Sequence, residues 1–113
     1  CLGVVDHTTR AAVTFMPEYP RLTAPAGGVA VTSQSGALGY ALMQAAERGF
    51  SLCHMATAGN ATDLDVCDLA AYQLSMPECR SVALAVEGLR DARRLFLLGD
   101  AARRAGKAVV VLK

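Results

Sequence analysis

The chain has 113 residues, of which 53% are apolar, 5% aromatic and 19% charged. This length suits one domain with a modest core, and the apolar content excludes a disordered or collagen-like chain. The formal net charge of +1 provides no field that would draw the protein to nucleic acid or to an anionic membrane, so neither partner is expected.

The first 27 residues show little helical periodicity. Three prolines and the pair Gly27-Gly28 interrupt the segment, which predicts an irregular or extended connector with a short strand around Ala12 to Phe15. The chain starts at Cys1 without methionine and stops directly after a strand-like run. We therefore expect a piece of a longer protein.

From Gly28 onward, strand-like and helical patterns alternate. Apolar residues at three- and four-residue intervals mark the helices, and short β-rich runs mark the strands. The alternation predicts an α/β fold, namely a three-layer flavodoxin-like parallel sheet with helices on both faces, whose strand order is not readable. The predicted strands are 28–33, 51–57, 81–86 and 107–112, and the predicted helices are 37–48, about 63 to 76, and 90–105.

Terminal signals support these helices. Gly49 is a natural stop for the first helix, and Thr62 with Asp65 has the spacing of a capping box, which would start the second helix near Asp63. Asp91 is a plausible N-cap for the third helix, and Gly106 a plausible left-handed residue at its end.

The sequence carries no signal for a membrane location. No apolar run reaches the length of a membrane span and no signal segment opens the chain, so a cytoplasmic location is expected.

The cysteine spacing supports no metal site, and we interpret Cys53 and Cys67 as buried free thiols. His54 is interpreted as a core or strand-face histidine, and His7 lies in the irregular segment.

The basic residues of the third helix are interpreted as a solvated helix face, with an anion-binding patch as the open alternative. They recur at helical spacing: Arg90, Arg93, Arg94, Arg103, Arg104 and Lys107.

Three strand-like runs end in residues suited to phosphate chemistry. Serine-rich, glycine and acidic turns follow the first, second and third strands. Because the carboxyl ends of parallel strands share one edge, where open α/β sheets bind ligands, we expect these turns to form the site.

The serine-rich turn, Ser33 to Ala37, opens a helix directly after a strand. First-turn amides have no partner within a helix and the helix dipole is positive there, so Ser33, Gln34, Ser35, Gly36 and Ala37 are candidates for holding a phosphate. A plain N-cap by Ser35 is the alternative. The turn matches neither a Walker A loop, nor GxGxxG, nor a nucleophile elbow.

Glu87 follows the third strand and Gly59-Asn60 the second. A carboxylate at such a place can accept a hydrogen bond from an imidazole and fix its tautomer, although a capping or loop role would explain Glu87 as well. Gly59 and Asn60 also have a structural explanation, since glycine and asparagine are common turn residues.

Taken together, these segments resemble the NDP-forming acyl-CoA synthetase family, which includes the succinyl-CoA synthetase α subunit and ADP-forming acetyl-CoA synthetases. The resemblance runs through nearly the whole chain in order. The matching segments are Cys1 to Val4, Gly28 to Gly39, Gly59 to Asp63, Val86 to Leu89 and Gly106 to Lys113.

The resemblance implies that residues 28–113 are a truncated succinyl-CoA ligase-like flavodoxin-like domain, and that 1–27 are the tail of a CoA-binding Rossmann domain plus a linker. It also implies a reaction in which acid, coenzyme A and ATP or GTP are interconverted with acyl-CoA, ADP or GDP and phosphate, through an acyl phosphate and a phosphohistidine. The phosphorylated histidine would lie beyond the strand matching Ala108 to Lys113, so this piece alone should not catalyse the ligation.

By matching position, the serine turn would hold the phosphate of the phosphohistidine, Glu87 would hydrogen-bond the histidine, and Cys1 would lie near the thiol end of coenzyme A. Gly59 and Asn60 would line the same site less directly. The implied partners are a small carboxylic acid and an ATP-grasp domain or β subunit within an oligomer, with no metal bound by this segment.

Other functions stay open at this point. A non-catalytic CoA- or phosphate-sensing region, such as that fused to some protein acetyltransferases, could keep the same fold and turn. An FMN-binding or phosphoacceptor flavodoxin-like protein is less favoured, because the loops lack the aromatic and the clustered acidic residues that those proteins use.

Overall fold

The structure is a computed structural model that describes residues 1–16, 18, 19, 25 and 27–113. Two of the prolines that interrupt the predicted connector, Pro17 and Pro20, lie outside these residues. Within the described ranges the strands are β1 (Gly3–Asp6), β2 (Ala11–Thr14), β3 (Gly28–Ser33), β4 (Leu52–Thr57), β5 (Cys79–Ala85) and β6 (Ala108–Leu112), and the α-helices are α1 (Gly36–Met43), α2 (Val66–Ser75) and α3 (Arg93–Arg104).

The strands form one six-stranded sheet in the order β2-β1-β4-β3-β5-β6. Strands β4, β3, β5 and β6 are parallel neighbours. Numbered by their order of appearance from β3, they follow the order 2-1-3-4, which is the flavodoxin-like order. The predicted α/β, flavodoxin-like fold class is therefore confirmed.

The amino-terminal segment differs from the prediction. Strand β1 pairs antiparallel with both β2 and β4, so the sheet is mixed and the expectation of a purely parallel sheet is wrong at this end. The irregular connector is also wrong over Gly3–Asp6, although β2 overlaps the short strand predicted around residues 12–15.

A tight turn closes this hairpin. The Asp6 carboxylate accepts hydrogen bonds from the backbone N–H groups of Thr8 (2.8 Å) and Thr9 (3.2 Å) and from both of their hydroxyls. Burial opposes ionisation of Asp6, but these donors outweigh it and lower its pKa to about 2. The turn thereby aligns β1 and β2 for pairing.

Helices cover both faces of the sheet, as predicted. On one face, Met43 of α1 and Ala46 of the following turn pack on Val31 and Met55. On the other face, α2 and α3 bury residues including Ala70 and Leu98 against the same sheet. The site residues that follow the strands are thus held between two packed layers.

The helix ends were predicted less accurately than the helices themselves. Helix α1 stops at Met43 and continues as a 3₁₀ turn, Gln44–Arg48, which ends at Gly49 in the predicted left-handed conformation (φ +86°). Gly106, which follows the end of α3, has the predicted left-handed conformation as well (φ +66°). No helix in the described part of the chain has both the length and the apolar character needed to cross a bilayer.

The capping box of α2 lies three residues later than predicted. Asp65, rather than Thr62, caps the helix, and its side chain accepts from the backbone N–H groups of Cys67 and Asp68. The Asp68 side chain accepts from the Asp65 N–H at 2.9 Å. At α3 the residue before the helix is Ala92, while the Asp91 carboxylate accepts from the Arg93 N–H at 3.0 Å.

The prediction that Cys53 and Cys67 are buried free thiols is confirmed, and Cys79 is buried and free as well. A hydrogen bond donated by Cys53 lowers the pKa of Cys79 to about 7, with help from the charge of Lys107. Burial raises the pKa of Cys67. All three thiols belong to the core between α2, α3 and the sheet.

Candidate functional site

The carboxyl ends of β3, β4, β5 and β6 share one edge of the sheet, because these strands are parallel neighbours. We call this edge the rim. The chain passes from β3 to β4 on one side and then to β5 on the other, so the rim between β3 and β5 is the topological switch point where open α/β sheets bind ligands. The turns after Ser33 and Ala85 therefore meet at the switch point.

The serine turn opens α1 at this point. Ser35 is the N-cap, and its hydroxyl oxygen accepts from the Leu38 N–H at 3.3 Å. The amides of Gly36 and Ala37 occupy the first turn, where the helix has no internal acceptors for them. Ser35 thus caps the helix through the Leu38 N–H, and the Gly36 and Ala37 amides are left without an acceptor inside the helix.

Ser33 does not present its hydroxyl at the rim. Its side chain is fully buried and donates to the Ser35 carbonyl oxygen at 2.7 Å. This hydroxyl therefore shapes the turn from within, and the phosphate-binding role of Ser33 stays a prediction.

Gln34 joins the serine turn to the turn that follows β5. Its side-chain oxygen accepts from the backbone N–H groups of Glu87 (2.5 Å) and Gly88 (2.8 Å), and its side-chain NH₂ donates to the Gly88 carbonyl oxygen at 2.6 Å. These bonds use both lone pairs of the amide oxygen and leave one N–H for a ligand. The phosphate-binding role of Gln34 stays a prediction, with this one N–H as the side-chain donor that the protein leaves free for it.

Glu87 is exposed on the rim. Its carboxylate forms no hydrogen bond or ion pair with any residue that the structure describes, so it is available to a ligand. Beside it lies a pocket of about 250 Å³, lined by Gln34, Asn60, Ala61, Asp65, Gly88, Leu89 and Arg90. Structure thus brings the serine turn, the glycine turn and the acidic turn to one depression.

The glycine turn after β4 is conformationally unusual. Gly59 has a φ of +59° and Ala61 a φ of +50°, which is left-handed backbone that non-glycine residues adopt at a cost. Asn60 lies between them, exposed at the pocket wall. Strain of this kind is often retained where a loop is shaped for a ligand.

Cys1 also lies at the rim. A side-chain carbon added to Gly59 would approach the Cys1 Cβ to 2.9 Å, and one added to Gly36 would approach Leu2 Cγ to 3.0 Å. Because neither glycine has a side chain, Cys1 can pack against Gly59 and Leu2 against Gly36. The structure brings the predicted CoA-binding residue to the predicted phosphate-binding turns.

Thr57 anchors this amino-terminal segment, and it is a residue that sequence reasoning missed. Its hydroxyl oxygen accepts from the Leu2 N–H (2.7 Å) and the Gly3 N–H (3.0 Å) and lies 3.2 Å from the Gly3 carbonyl oxygen. No local signal could have identified this role, because the partners lie 54 and 55 positions away.

We expect Thr57→Val to loosen the amino-terminal segment. Valine keeps the shape of threonine but leaves the partly buried N–H groups of Leu2 and Gly3 without this acceptor, a loss of about 1–3 kcal/mol. In the full-length protein, hydrogen exchange at these two amides should accelerate. Thr57→Ser keeps the hydroxyl and is the control. Equal exchange in the two variants would contradict this role.

Arg90 is a second residue at the site whose position the sequence did not indicate. Its guanidinium donates to the Thr62 carbonyl oxygen at 3.4 Å and borders the pocket. Arg90 therefore supplies positive charge at the rim and not only on a solvated helix face.

Two other basic residues of the predicted set, one in α3 and one just after it, are held by ion pairs or hydrogen bonds. Arg94 forms ion pairs with Asp65 (2.8 Å) and Asp68, and the Asp65 N–H together with Arg94 lowers the pKa of Asp68. Lys107 donates to the carbonyl oxygens of Leu74 and Met76, both at 2.7 Å. These contacts join α2 to α3 and to the start of β6. Arg94 and Lys107 therefore have structural roles, whereas Arg90 borders the pocket.

Neither histidine of the sequence lies at the rim. His54 is buried on β4, as predicted, with Nε2 3.1 Å from a carboxylate oxygen of Glu78, the residue that precedes β5 at the opposite end of the sheet. His7 is buried against the ring of Tyr19. Among the described residues, no group of three or more His, Cys, Asp or Glu side chains is arranged to hold a metal ion.

Comparison with known proteins gives a consistent picture. Residues 26–113 match the family model described as "Succinyl-CoA ligase like flavodoxin domain". The chain is 31% identical over its whole length to the α subunit of the ADP-forming acetate–CoA ligase II of Pyrococcus furiosus, and 33% identical over its whole length to the ADP-forming acetate–CoA ligase of Methanocaldococcus jannaschii. It spans only 24% and 15% of these two relatives.

A solved structure is similar as well. The dinucleotide-forming acetyl-coenzyme A synthetase 1 of Candidatus Korarchaeum cryptofilum, in its apo form, superposes with a TM-score of 0.79 and 33% identity over 99% of this chain and 24% of that one. The same synthetase in complex with phosphate and ADP gives the same TM-score of 0.79.

Proposed function

This chain belongs to the succinyl-CoA ligase-like flavodoxin domain family, and from that membership we propose that it is the phosphate-holding part of an NDP-forming acid–thiol ligase. The full-length protein would interconvert a carboxylic acid, coenzyme A and a nucleoside triphosphate with acyl-CoA, nucleoside diphosphate and phosphate. An acyl phosphate and a phosphohistidine would be the intermediates. The printed activities of the relatives, which are ADP-forming acetate–CoA ligases, support this reaction class.

One observation carries the proposal: the start of α1 and Glu87 lie on the same rim, and the Gln34 side chain bridges the two turns. A phosphohistidine needs an anion site for its phosphate and a carboxylate for its ring. Because Gln34 ties the turn that carries Glu87 to the turn that opens α1, a single residue entering from outside the described chain could use both.

Positively polarised groups would bind the phosphate, and the negatively charged Glu87 would bind the imidazole. The Gly36 and Ala37 amides and the positive end of α1 would receive the phosphate, with Arg90 adding a full charge at the pocket wall. Glu87 would accept a hydrogen bond from the imidazole N–H opposite the phosphorylated nitrogen, which fixes the tautomer and stabilises the charged ring. Since these groups are already in place, they stabilise transferred charge without reorienting.

The phosphorylated histidine would come from elsewhere in the full-length protein. Both His7 and His54 are buried away from the rim, which supports this assignment. Cys1, held beside Gly59, would lie near the thiol end of coenzyme A, as the resemblance implies. Residues 1–27 would then be the tail of a CoA-binding domain and its linker, and residues 28–113 part of the flavodoxin-like domain.

The remaining parts follow from the same proposal. An ATP-grasp domain or β subunit would supply the nucleotide site, within an oligomer, and a small carboxylic acid would be the acyl donor. The cytoplasm is the expected compartment, since coenzyme A and nucleoside triphosphates are available there.

The test is phosphoenzyme formation by the full-length protein. Incubation with γ-labelled ATP or GTP should give protein-bound phosphate with the acid lability of phosphohistidine, and addition of coenzyme A and a carboxylic acid should discharge it with formation of a CoA ester. A protein that binds coenzyme A or phosphate but never forms the phosphoenzyme would overturn the ligase and support the sensing region.

A further inference from the structure

The Gln34 side chain makes three hydrogen bonds to the acidic turn, Glu87-Gly88, which follows β5. Its side-chain oxygen accepts from the N–H groups of Glu87 and Gly88, and its NH₂ donates to the Gly88 carbonyl oxygen. These partners determine the amide orientation, because an oxygen must face the two N–H groups and a nitrogen must face the carbonyl.

The backbone of Gln34 is held at the same place. Its N–H donates to the Ala85 carbonyl oxygen at 3.1 Å, which ties the residue to the last position of β5. Gln34 thus bonds across the switch point with both its backbone and its side chain. The backbone N–H holds the end of β5, and the side chain holds the turn that follows it.

Glu87 depends on this fastening. Its side chain is exposed, and its carboxylate has no hydrogen bond or ion pair with the described residues. No such bond therefore sets the direction of the side chain. The backbone from which the carboxylate projects is held by the Gln34 side chain at Glu87 and Gly88, and one residue earlier by the Val86 N–H, which donates to the Leu112 carbonyl oxygen at 2.9 Å.

We propose that Gln34 is a positioning residue: it fixes the position of the Glu87 carboxylate relative to the first turn of α1, where the phosphate would bind. This inference rests on the proposed function and deepens it. Gln34 moves no proton and carries no charge; it couples the position of the carboxylate to the position of the helix start, so that one phosphohistidine meets both. Misplacement of a catalytic group by about 1 Å can cost a rate factor of about 100.

The test is Gln34→Met in the full-length protein. Methionine matches the length of glutamine and adds no charge, but it removes all three side-chain hydrogen bonds. The rate of phosphohistidine formation should fall about 10- to 100-fold, while the KM for the nucleotide stays unchanged. Gln44→Met, on the exposed turn after α1, is the matched control.

A double-mutant cycle separates positioning from a general structural role. If Gln34 acts through Glu87, then Gln34→Met should change the rate by less than about 2-fold when Glu87 is already replaced by glutamine. Full additivity of the two effects, or a Gln34→Met protein as fast as the unsubstituted one, would overturn the inference. If Glu87→Gln by itself leaves the rate unchanged, the proposed function fails, and that outcome is visible before Gln34 is altered.

Discussion

Glu87→Gln in the full-length protein should lower the rate of phosphohistidine formation by about 100-fold or more, as loss of the histidine-orienting carboxylate does in other histidine-dependent sites. Glutamine has the size of glutamate, but its neutral amide cannot stabilise a charged imidazole and can present its NH₂ group where an acceptor is required. The fold should be unaffected, since Glu87 is exposed and its carboxylate forms no hydrogen bond or ion pair within the described chain.

The measurement is the initial rate of labelling from γ-labelled nucleotide, with thermal unfolding measured in parallel. Glu47→Gln is a matched control, because Glu47 is another exposed carboxylate but lies on the turn after α1, away from the rim. Phosphoenzyme that accumulates at the unsubstituted rate in the Glu87 variant would count against the assigned role.

Ala37→Asp should have opposite effects on stability and on phosphorylation. Ala37 is an exposed residue in the first turn of α1, where no acidic side chain is present. A carboxylate there interacts favourably with the helix dipole and should add about 0.3–1 kcal/mol to the free energy of unfolding. The same charge, about 5 Å from a bound phosphate, repels it by about 3 kcal/mol at an effective dielectric of about 20, which lowers phosphoenzyme accumulation by about 100-fold.

The neutral variant Ala37→Asn is the control for size. It should leave phosphoenzyme accumulation within about 3-fold of the unsubstituted protein, because it adds no net charge at the helix start. The phosphate-holding role of α1 is wrong if the aspartate variant is phosphorylated as well as the asparagine variant, or if both lose phosphorylation together.

Elements with a strong burial pattern could be read from the sequence. Strand β3 and helix α3 carry apolar residues at the spacing of their element, and Gly49 marks the end of the first helical segment with the conformation expected. The flavodoxin-like class follows from the alternation of such elements. Because Ser33 and Ala85 end parallel strands, the meeting of their turns at one rim could be predicted as well.

The hairpin could not be predicted in the same way. Strand β2 is mostly exposed, so its side chains carry no alternation between buried and solvent-facing positions, and its pairing with β1 depends on a turn built by Asp6. The start of α2 was misplaced for a different reason. Thr62 and Asp65 both begin a capping-box pattern, and the choice of Asp65 agrees with its ion pair to Arg94, a residue on another helix.

Within the site, the sequence indicated residue types but not their division of labour. Ser33, Gln34 and Ser35 are adjacent, yet one is buried, one holds the acidic turn and one caps the helix. Thr57 and Arg90 gain their places only when distant parts of the chain meet. Contacts of this kind join side chains to backbone groups far away in the sequence, and no local pattern encodes them.

The most direct measurement is a crystal structure of the full-length protein trapped with its histidine phosphorylated. The account predicts the phosphate oxygens within hydrogen-bond distance, about 2.7–3.2 Å, of the Gly36 and Ala37 amides, with the opposite imidazole N–H donating to Glu87. A phosphohistidine whose phosphate lies elsewhere, or whose ring is out of reach of Glu87 while the amides are occupied, would contradict it.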